Sequence, residues 1–141
     1  MNSIDVPKPL VVTRMDGPLD SDPAELLNPR WEQIESAIHR LDGNTCTLVA
    51  LGIGAPPVPH MAIGGGEDGR YIVYATNDNL AFATLMNPMA TPGKCSLVAG
   101  GQRGEYESRN CVGLKDALRA ARTYAETGAA DATLTWEQSR K

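Results

Sequence analysis

The chain has 141 residues, of which 42% are hydrophobic and 21% are charged. A chain of about 150 residues buries roughly 68–70% of its unfolded surface, so an apolar core is expected without disulfide or metal support. The formal net charge of −4 argues against nucleic acid as a direct partner, because proteins that bind it cluster Lys and Arg. A partner protein with a basic surface is compatible with this charge, since opposite potentials speed encounter.

We expect neither a targeting segment nor a membrane span in this sequence. Its first residues show no basic segment followed by an apolar one, so no signal peptide is expected. No apolar run approaches the roughly 18 residues that a membrane span needs. We therefore expect a cytoplasmic protein. The three cysteines, Cys46, Cys95 and Cys111, lack C-x-x-C spacing and are expected to be small buried hydrophobes without a disulfide framework.

A loop and then a helix are predicted in the first third of the chain, after a short apolar strand. The Asp- and Pro-rich stretch 16–28 is typical of a loop. Asn28 suits the N-cap of a helix and Pro29 its first position. The apolar residues at helical spacing that follow are Trp31, Ile34, Ile38 and Leu41. Gly43 can take the left-handed conformation that ends such a helix.

Two glycine-rich runs predict β-hairpin turns further along. Residues 64–69 and 100–104 each lie between short apolar or alternating segments, as hairpin turns do. Residues 80–86 fit either a strand or a short helix, and their periodicity does not decide between the two.

A second helix is predicted near the end, with an apolar stripe from Leu114 to Ala125 and a stop at Gly128. The element order predicts an α+β fold: an antiparallel sheet of about five to six strands with two main helices packed on one face. We expect a single domain over residues 1–141, with loose termini at 1–8 and 137–141.

No residue pattern points to a catalytic, metal or cofactor site. A strand follows the first glycine run, and Glu67 and Asp68 within it would repel phosphate. His39 and His60 are far apart and lack the spacing of zinc ligands. A pairing of Cys46 with a histidine is less typical of a nucleophile than of a core cysteine beside a surface histidine.

The acidic side chains have two interpretations. Glu105 and Glu107 are two apart on a predicted strand and should share a face, which is either a solvated face or a contact surface for a basic partner. The candidate contacts at or beside turns are Glu67, Asp68, Asp78, Glu105 and Glu107. Trp136 either packs the tail against the core or contacts a partner; we expect the former.

Several segments, taken together, resemble a known family. They are Ile34 to Gly43, Gly64 to Val73, Leu97 to Tyr106 with its Gly-Gly-Gln-x-Gly-x-Tyr stretch, Ala117 to Tyr124, and the closing Leu-Thr-Trp-Glu at Leu134 to Glu137. Their order and spacing are similar to those of the first Imm family of bacterial polymorphic-toxin immunity proteins, from about Trp31 to Glu137.

The resemblance implies a non-catalytic protein that binds and blocks a cognate toxin, in some members a nucleic-acid deaminase. It marks Gly100, Gly101, Tyr106 and Trp136 as structural signature positions and supplies no catalytic residues or cofactor. Two alternatives stay open. One is a small-ligand protein or enzyme of a biosynthetic pathway, with a pocket lined by Met61, Tyr74, Phe82 or Met86; the other is a homodimer paired through a strand edge.

Overall fold

The structure is a computed structural model that describes residues 11–15, 24–27, 29–53, 59–78 and 80–140. Within these ranges the chain forms nine strands and two helices. The strands are β1 (Val11–Met15), β2 (Ala24–Leu27), β3 (Leu48–Ile53), β4 (His60–Gly65), β5 (Tyr71–Thr76), β6 (Ala81–Met86), β7 (Lys94–Ala99), β8 (Gln102–Glu107) and β9 (Thr135–Arg140). The helices are α1 (Trp31–His39) and α2 (Leu114–Thr127).

Seven strands form one antiparallel sheet in the order β2-β1-β3-β4-β5-β6-β9, and β7 and β8 form a separate hairpin. The α+β class, the antiparallel pairing and both predicted helices are confirmed. Both glycine-rich runs are hairpin connections, because β4 pairs with β5 and β7 pairs with β8. The undecided segment is strand β6, which pairs with β5 and β9.

The two helices cover one face of the sheet. Strand side chains that alternate along β3, β4 and β5 meet side chains of both helices in the main core. Its fully buried members include Ile34 and Ile38 from α1, Val49, Leu51, Met61, Ile63 and Val73 from the strands, and Ala120, Ala121 and Tyr124 from α2. Burying one large aliphatic side chain contributes about 1.5–3 kcal/mol, so this layer supplies most of the hydrophobic stabilisation.

The β7–β8 hairpin covers part of the opposite face. Cys95, Leu97 and Cys111 are buried there against Ile72 and Tyr106. The hairpin approaches β4 closely because Gly64 of that strand has no side chain. A Cβ atom added at Gly64 of β4 would meet the Cβ atom of Ala99 on β7. The central sheet is therefore sandwiched between helices and a hairpin.

The start of α1 differs from the prediction. The helix begins at Trp31, and Arg30 is its N-cap, so placing Asn28 at the cap and Pro29 at the first position was wrong. The side chain of Gln33 accepts a hydrogen bond from the Arg30 backbone N–H at 2.8 Å. This bond satisfies an N-terminal donor, which explains why the helix starts there without a Ser, Thr, Asn or Asp cap.

Two segments predicted to lack structure belong to the sheet. Ala24–Leu27, inside the predicted 16–28 loop, is β2 and pairs with β1. Glu137 to Arg140, inside the predicted loose terminus 137–141, pair with β6 as part of β9. Both corrections have one cause: long-range pairing satisfies backbone groups that local composition does not reveal. Residues 1–8, 16–23, 28 and 141 lie outside the described ranges.

A disulfide joins Cys95 on β7 to Cys111, which follows β8, with the two Cα atoms 7.1 Å apart. The expectation that all three cysteines are unpaired was therefore wrong for these two. The hairpin turn brings together residues 16 apart in sequence, a separation that carries no spacing signal. Cys46 is free and packs against the main core. No helix in the described ranges is long and apolar enough to span a bilayer.

Gly66, at the turn between β4 and β5, has a φ of 104°. A Cβ atom there would run into the Leu41 carbonyl at the end of α1. Gly69, in the same turn, has a φ of 69° and open space around its added Cβ. Both glycines have a positive φ, but only Gly66 is crowded. Substitutions at the two positions therefore distinguish the cost of the backbone conformation from the cost of a steric clash.

We expect Gly66→Ala to lower the free energy of unfolding by about 3 kcal/mol or more, because it adds a backbone clash to the conformational cost. Gly69→Ala should cost only about 1 kcal/mol, the cost of the left-handed conformation alone. Urea unfolding of both variants and the parent measures the difference. Equal losses would show that the contact with Leu41 does not constrain the turn.

Candidate functional site

Two of the candidate acidic residues lie on a short 3-10 turn, Glu67–Gly69, between β4 and β5. Arg103 of β8 contacts Glu67, with the guanidinium Nη2 3.5 Å from Oε1. Both side chains are about half exposed. This ion pair places the turn beside the β7–β8 hairpin.

Two more candidates lie on the outer face of that hairpin. Glu105 is opposite Ser96, and Glu107 is opposite Lys94, so the prediction that the two glutamates share a face is confirmed. Tyr106 between them points inward to the second core cluster. Glu105 is exposed and makes no ion pair with a described residue. Glu107 is held between Lys94 and Arg109 at 3.8 and 3.4 Å.

We call Glu67, Asp68, Glu105 and Glu107 the acidic hairpin surface. The fifth candidate, Asp78, is not part of it, because it follows β5 and therefore lies at the opposite end of the sheet from Glu67. Its Oδ1 accepts hydrogen bonds from the backbone N–H groups of Leu80 and Ala81, both at 2.9 Å. These bonds hold the pKa of Asp78 below its ordinary value, so the carboxylate is ionised at neutral pH.

The signature residues of the Gly-Gly-Gln-x-Gly-x-Tyr stretch shape the hairpin. Gly100 and Gly101 form the turn between β7 and β8 with φ of 63° and 80°, a conformation that favours glycine. The Gly101 N–H donates to the buried Thr47 hydroxyl at 2.9 Å, which ties the turn to the segment before β3. Tyr106 packs against the inner cluster. These residues fix the hairpin that displays Glu105 and Glu107.

The closing Leu-Thr-Trp-Glu stretch joins both sides of the sheet. Trp136 packs against the main core, and its indole N–H donates to the Asp131 carbonyl at 2.9 Å. The Glu137 side chain points to the other face, where Arg109 contacts both carboxylate oxygens at 3.3 and 3.0 Å. The Asn110 amide adds a third hydrogen bond at 3.2 Å.

Sequence reasoning missed this second link entirely. Arg109 bridges Glu137 and Glu107, and its hydrogen bonds lower the pKa of Glu137. Arg109 and Glu137 are 28 residues apart, so no local spacing could have found them. Arg109 therefore connects the edge strand β9 to the acidic hairpin surface.

The loop after α2 is held by Asp131, whose carboxylate is nearly buried. It accepts hydrogen bonds from the Thr133 hydroxyl and backbone N–H and from the Thr123 hydroxyl, and Arg119 lies 3.4 Å away. Led by the Thr133 hydroxyl, these contacts hold the pKa of Asp131 far below its ordinary value. The same residue accepts the Trp136 bond through its backbone, so it positions both the loop and the tail.

The residues proposed for a ligand pocket lie on both faces of the sheet and do not line one pocket. Met61 is fully buried in the core on the helix face, whereas Tyr74 and Phe82 form an edge-to-face pair, 5.6 Å between ring centres, on the other face. Within the described residues, no group of three or more His, Cys, Asp and Glu is arranged to hold a metal ion.

We expect Asp131→Asn to lower the melting temperature at pH 7, because an amide cannot accept the hydrogen bonds on both of its terminal atoms. A folded-state pKa below the unfolded value of about 4 gives stability that is present above pH 4 and lost as pH falls further. The variant should therefore lose less stability than the parent between pH 5 and pH 2. Melting curves across this range measure it, and Asp116→Asn is the control for charge removal. An unchanged pH profile would contradict the assignment.

Comparison with known proteins points to one family. A family model described as Immunity protein Imm1 matches residues 22–138. Comparisons with curated proteins and with solved structures gave no significant match. The matched range includes both helices, the β7–β8 hairpin and most of β9. The chain therefore belongs to the Imm1 family of immunity proteins.

Proposed function

We propose that the chain neutralises a cognate bacterial toxin by binding over the toxin's active site, without turning over a substrate itself. The family match over residues 22–138 is the observation that carries this proposal. The chain would act as one domain in the cytoplasm, where a toxin aimed at the cell's own nucleic acid would meet its target.

The acidic hairpin surface supports this mode of action. Its four carboxylates lie on the turn before β5 and on the hairpin that packs over the sheet, and Glu105 is exposed and makes no ion pair with a described residue. A toxin that acts on nucleic acid, such as a deaminase, needs a basic cleft for the phosphate backbone. Carboxylates that enter such a cleft occupy phosphate positions, and their potential speeds association.

The arginines next to these carboxylates give the surface a fixed geometry. Arg103 holds Glu67, and Arg109 holds Glu107. Exposed ion pairs of this kind add little stability. Each would favour the carboxylate rotamer that keeps the contact, which would reduce the entropy lost when a partner binds.

The direct test mixes the purified chain with the purified product of its neighbouring gene at micromolar concentration. Size-exclusion chromatography should give one co-eluting peak, and co-expression should protect cells from that product. Two separate peaks, or turnover of a substrate by the chain that is lost on replacing one side chain, would overturn the proposal.

We expect Glu105→Lys to reduce the association rate with that partner by roughly three- to tenfold at low salt, because it reverses a steering charge. The deficit should shrink as salt rises toward 0.5 M, where exposed charges are screened. Stopped-flow or surface-plasmon measurements over a salt series give both quantities.

Glu126→Lys is the matched control. Glu126 is exposed on α2, in the helix layer, and pairs only with Arg122 four residues earlier among the described residues. The net charge change is the same, so a comparable rate loss in this variant would show that total charge, and not the acidic hairpin surface, governs encounter.

A further inference from the structure

The β7–β8 hairpin forms its own two-stranded sheet and pairs with no described strand of the seven-stranded one. It is held against that sheet partly by the bond from the Gly101 N–H to the Thr47 hydroxyl and partly by side-chain packing. The packing is a small cluster whose three buried members are Cys95, Leu97 and Cys111. Two of these three side chains are the halves of the disulfide, so the bond is a large part of the contact.

The disulfide joins the hairpin to a segment that belongs to the seven-stranded sheet. Cys95 lies near the start of β7. Cys111 precedes Val112, whose backbone N–H and carbonyl bond to the carbonyl and N–H of Tyr71 on β5, both at 2.8 Å. The segment that the bond closes, residues 95–111, contains the hairpin turn and the whole of β8. Opening the bond therefore removes the covalent closure of the segment that carries two members of the acidic hairpin surface.

The surroundings of the two sulfurs suit thiol–disulfide exchange. Both cysteines line a surface cavity of about 190 Å³, and they keep 6% and 9% of their surface accessible, so neither is sealed as the main core is. Arg70 lines the same cavity, is exposed and makes no ion pair with a described residue. A guanidinium near a cysteine favours the thiolate, which is the leaving group when a disulfide is cleaved.

The reduced form of the pair also has a hydrogen-bond partner in place. The Cys111 Sγ lies 3.6 Å from the backbone carbonyl oxygen of Glu107. A thiol at this position can donate its S–H to that carbonyl, whereas a disulfide sulfur has no hydrogen to donate. The site therefore accommodates both the disulfide and the dithiol.

We propose that Cys95 and Cys111 are a reversible redox pair. The disulfide form fixes the acidic hairpin surface for the partner protein, and the dithiol form loosens it. The effect on binding rests on the proposed function, whereas the redox chemistry does not. In the cytoplasm, where that function places the chain, most cysteine pairs are kept reduced, and pairs that do form disulfides there usually sense redox state.

The reaction is exchange with an external dithiol, such as a thioredoxin-type protein. One of its thiolates attacks a sulfur of the pair, the Cys95–Cys111 bond breaks, and a mixed disulfide forms. The second thiol of the dithiol then displaces the protein sulfur, which leaves two protein thiols and an oxidised dithiol. Two electrons and two protons pass to the protein. A small disulfide such as oxidised glutathione takes them back by the reverse exchange and leaves as two thiols.

The first test follows the thiols of the full chain. After equilibration with oxidised glutathione, N-ethylmaleimide in denaturant should label Cys46 alone, and intact mass should show no bound glutathione. Incubation with dithiothreitol in native buffer should expose all three cysteines, with an unchanged far-UV circular dichroism spectrum, and oxidised glutathione should reverse the change. Three labelled cysteines under oxidising conditions, or loss of the far-UV signal on reduction, would overturn the proposal.

The second test measures amide hydrogen exchange in both forms of the parent. Reduction should speed exchange across β7 and β8 by about tenfold or more and leave α1 unchanged, because only the hairpin loses a constraint. Cys46→Ala should respond as the parent does. The double variant Cys95→Ala/Cys111→Ala should exchange like the reduced parent, with or without dithiothreitol. Equal hairpin exchange in the oxidised and reduced parent would show that the bond does not control the hairpin, whether or not the double variant folds.

The third test compares the affinity of the two forms for the product of the neighbouring gene. Reduction should weaken binding about tenfold, because a loosened surface loses more entropy when it docks. The double variant, measured without reductant, should match the reduced parent, which separates this effect from reduction of the partner. Equal affinities would sink the redox pair as a control of binding and leave the proposed function intact. Absence of binding by either form, with redox-dependent hairpin exchange, would contradict the proposed function and leave the redox pair standing.

Discussion

The whole arrangement depends on the close approach of the β7–β8 hairpin to the central strand β4. Every residue of β4 after His60 is buried, although the helices cover only one face of the sheet. On the other face the strand offers Ala62 and Gly64, and the absent side chain of Gly64 makes room for Ala99. A larger residue there would push the hairpin outward. The position of Glu105 and Glu107 therefore depends on the lack of a side chain at Gly64, in the sheet beneath the hairpin.

The residues that the sequence resemblance marked as structural each have a structural role in this fold. Gly100 and Gly101 turn the hairpin, the Gly101 N–H donates to the Thr47 hydroxyl, and Tyr106 packs on the inner face of the hairpin. Trp136 and Glu137, adjacent in sequence, point to opposite faces of β9. Trp136 packs against the core of the helix layer. Glu137 forms an ion pair with Arg109, and Arg109 also pairs with Glu107. These residues thus connect the two layers of the fold.

The sequence predicted those features that depend on local patterns. Helix α2 follows from its apolar stripe, and the two hairpins follow from glycine runs between strands. The sequence did not predict β2, the pairing of β9 or the Cys95–Cys111 disulfide, because each joins segments that are distant along the chain. The candidate site divides in the same way. Alternation placed Glu105 and Glu107 on one face, whereas only the fold shows that Asp78 lies at the other end of the sheet.

Because Asp78 lies far from the acidic hairpin surface, it would contact a different part of a bound partner protein. The acidic hairpin surface and Asp78 lie at opposite ends of β5, so a partner must span the length of that strand to contact both. The acidic hairpin surface would mainly govern the association rate, because Glu105 is exposed, makes no ion pair with a described residue and acts at a distance. Contacts at Asp78 would act mainly on dissociation, where most affinity differences between related interfaces lie.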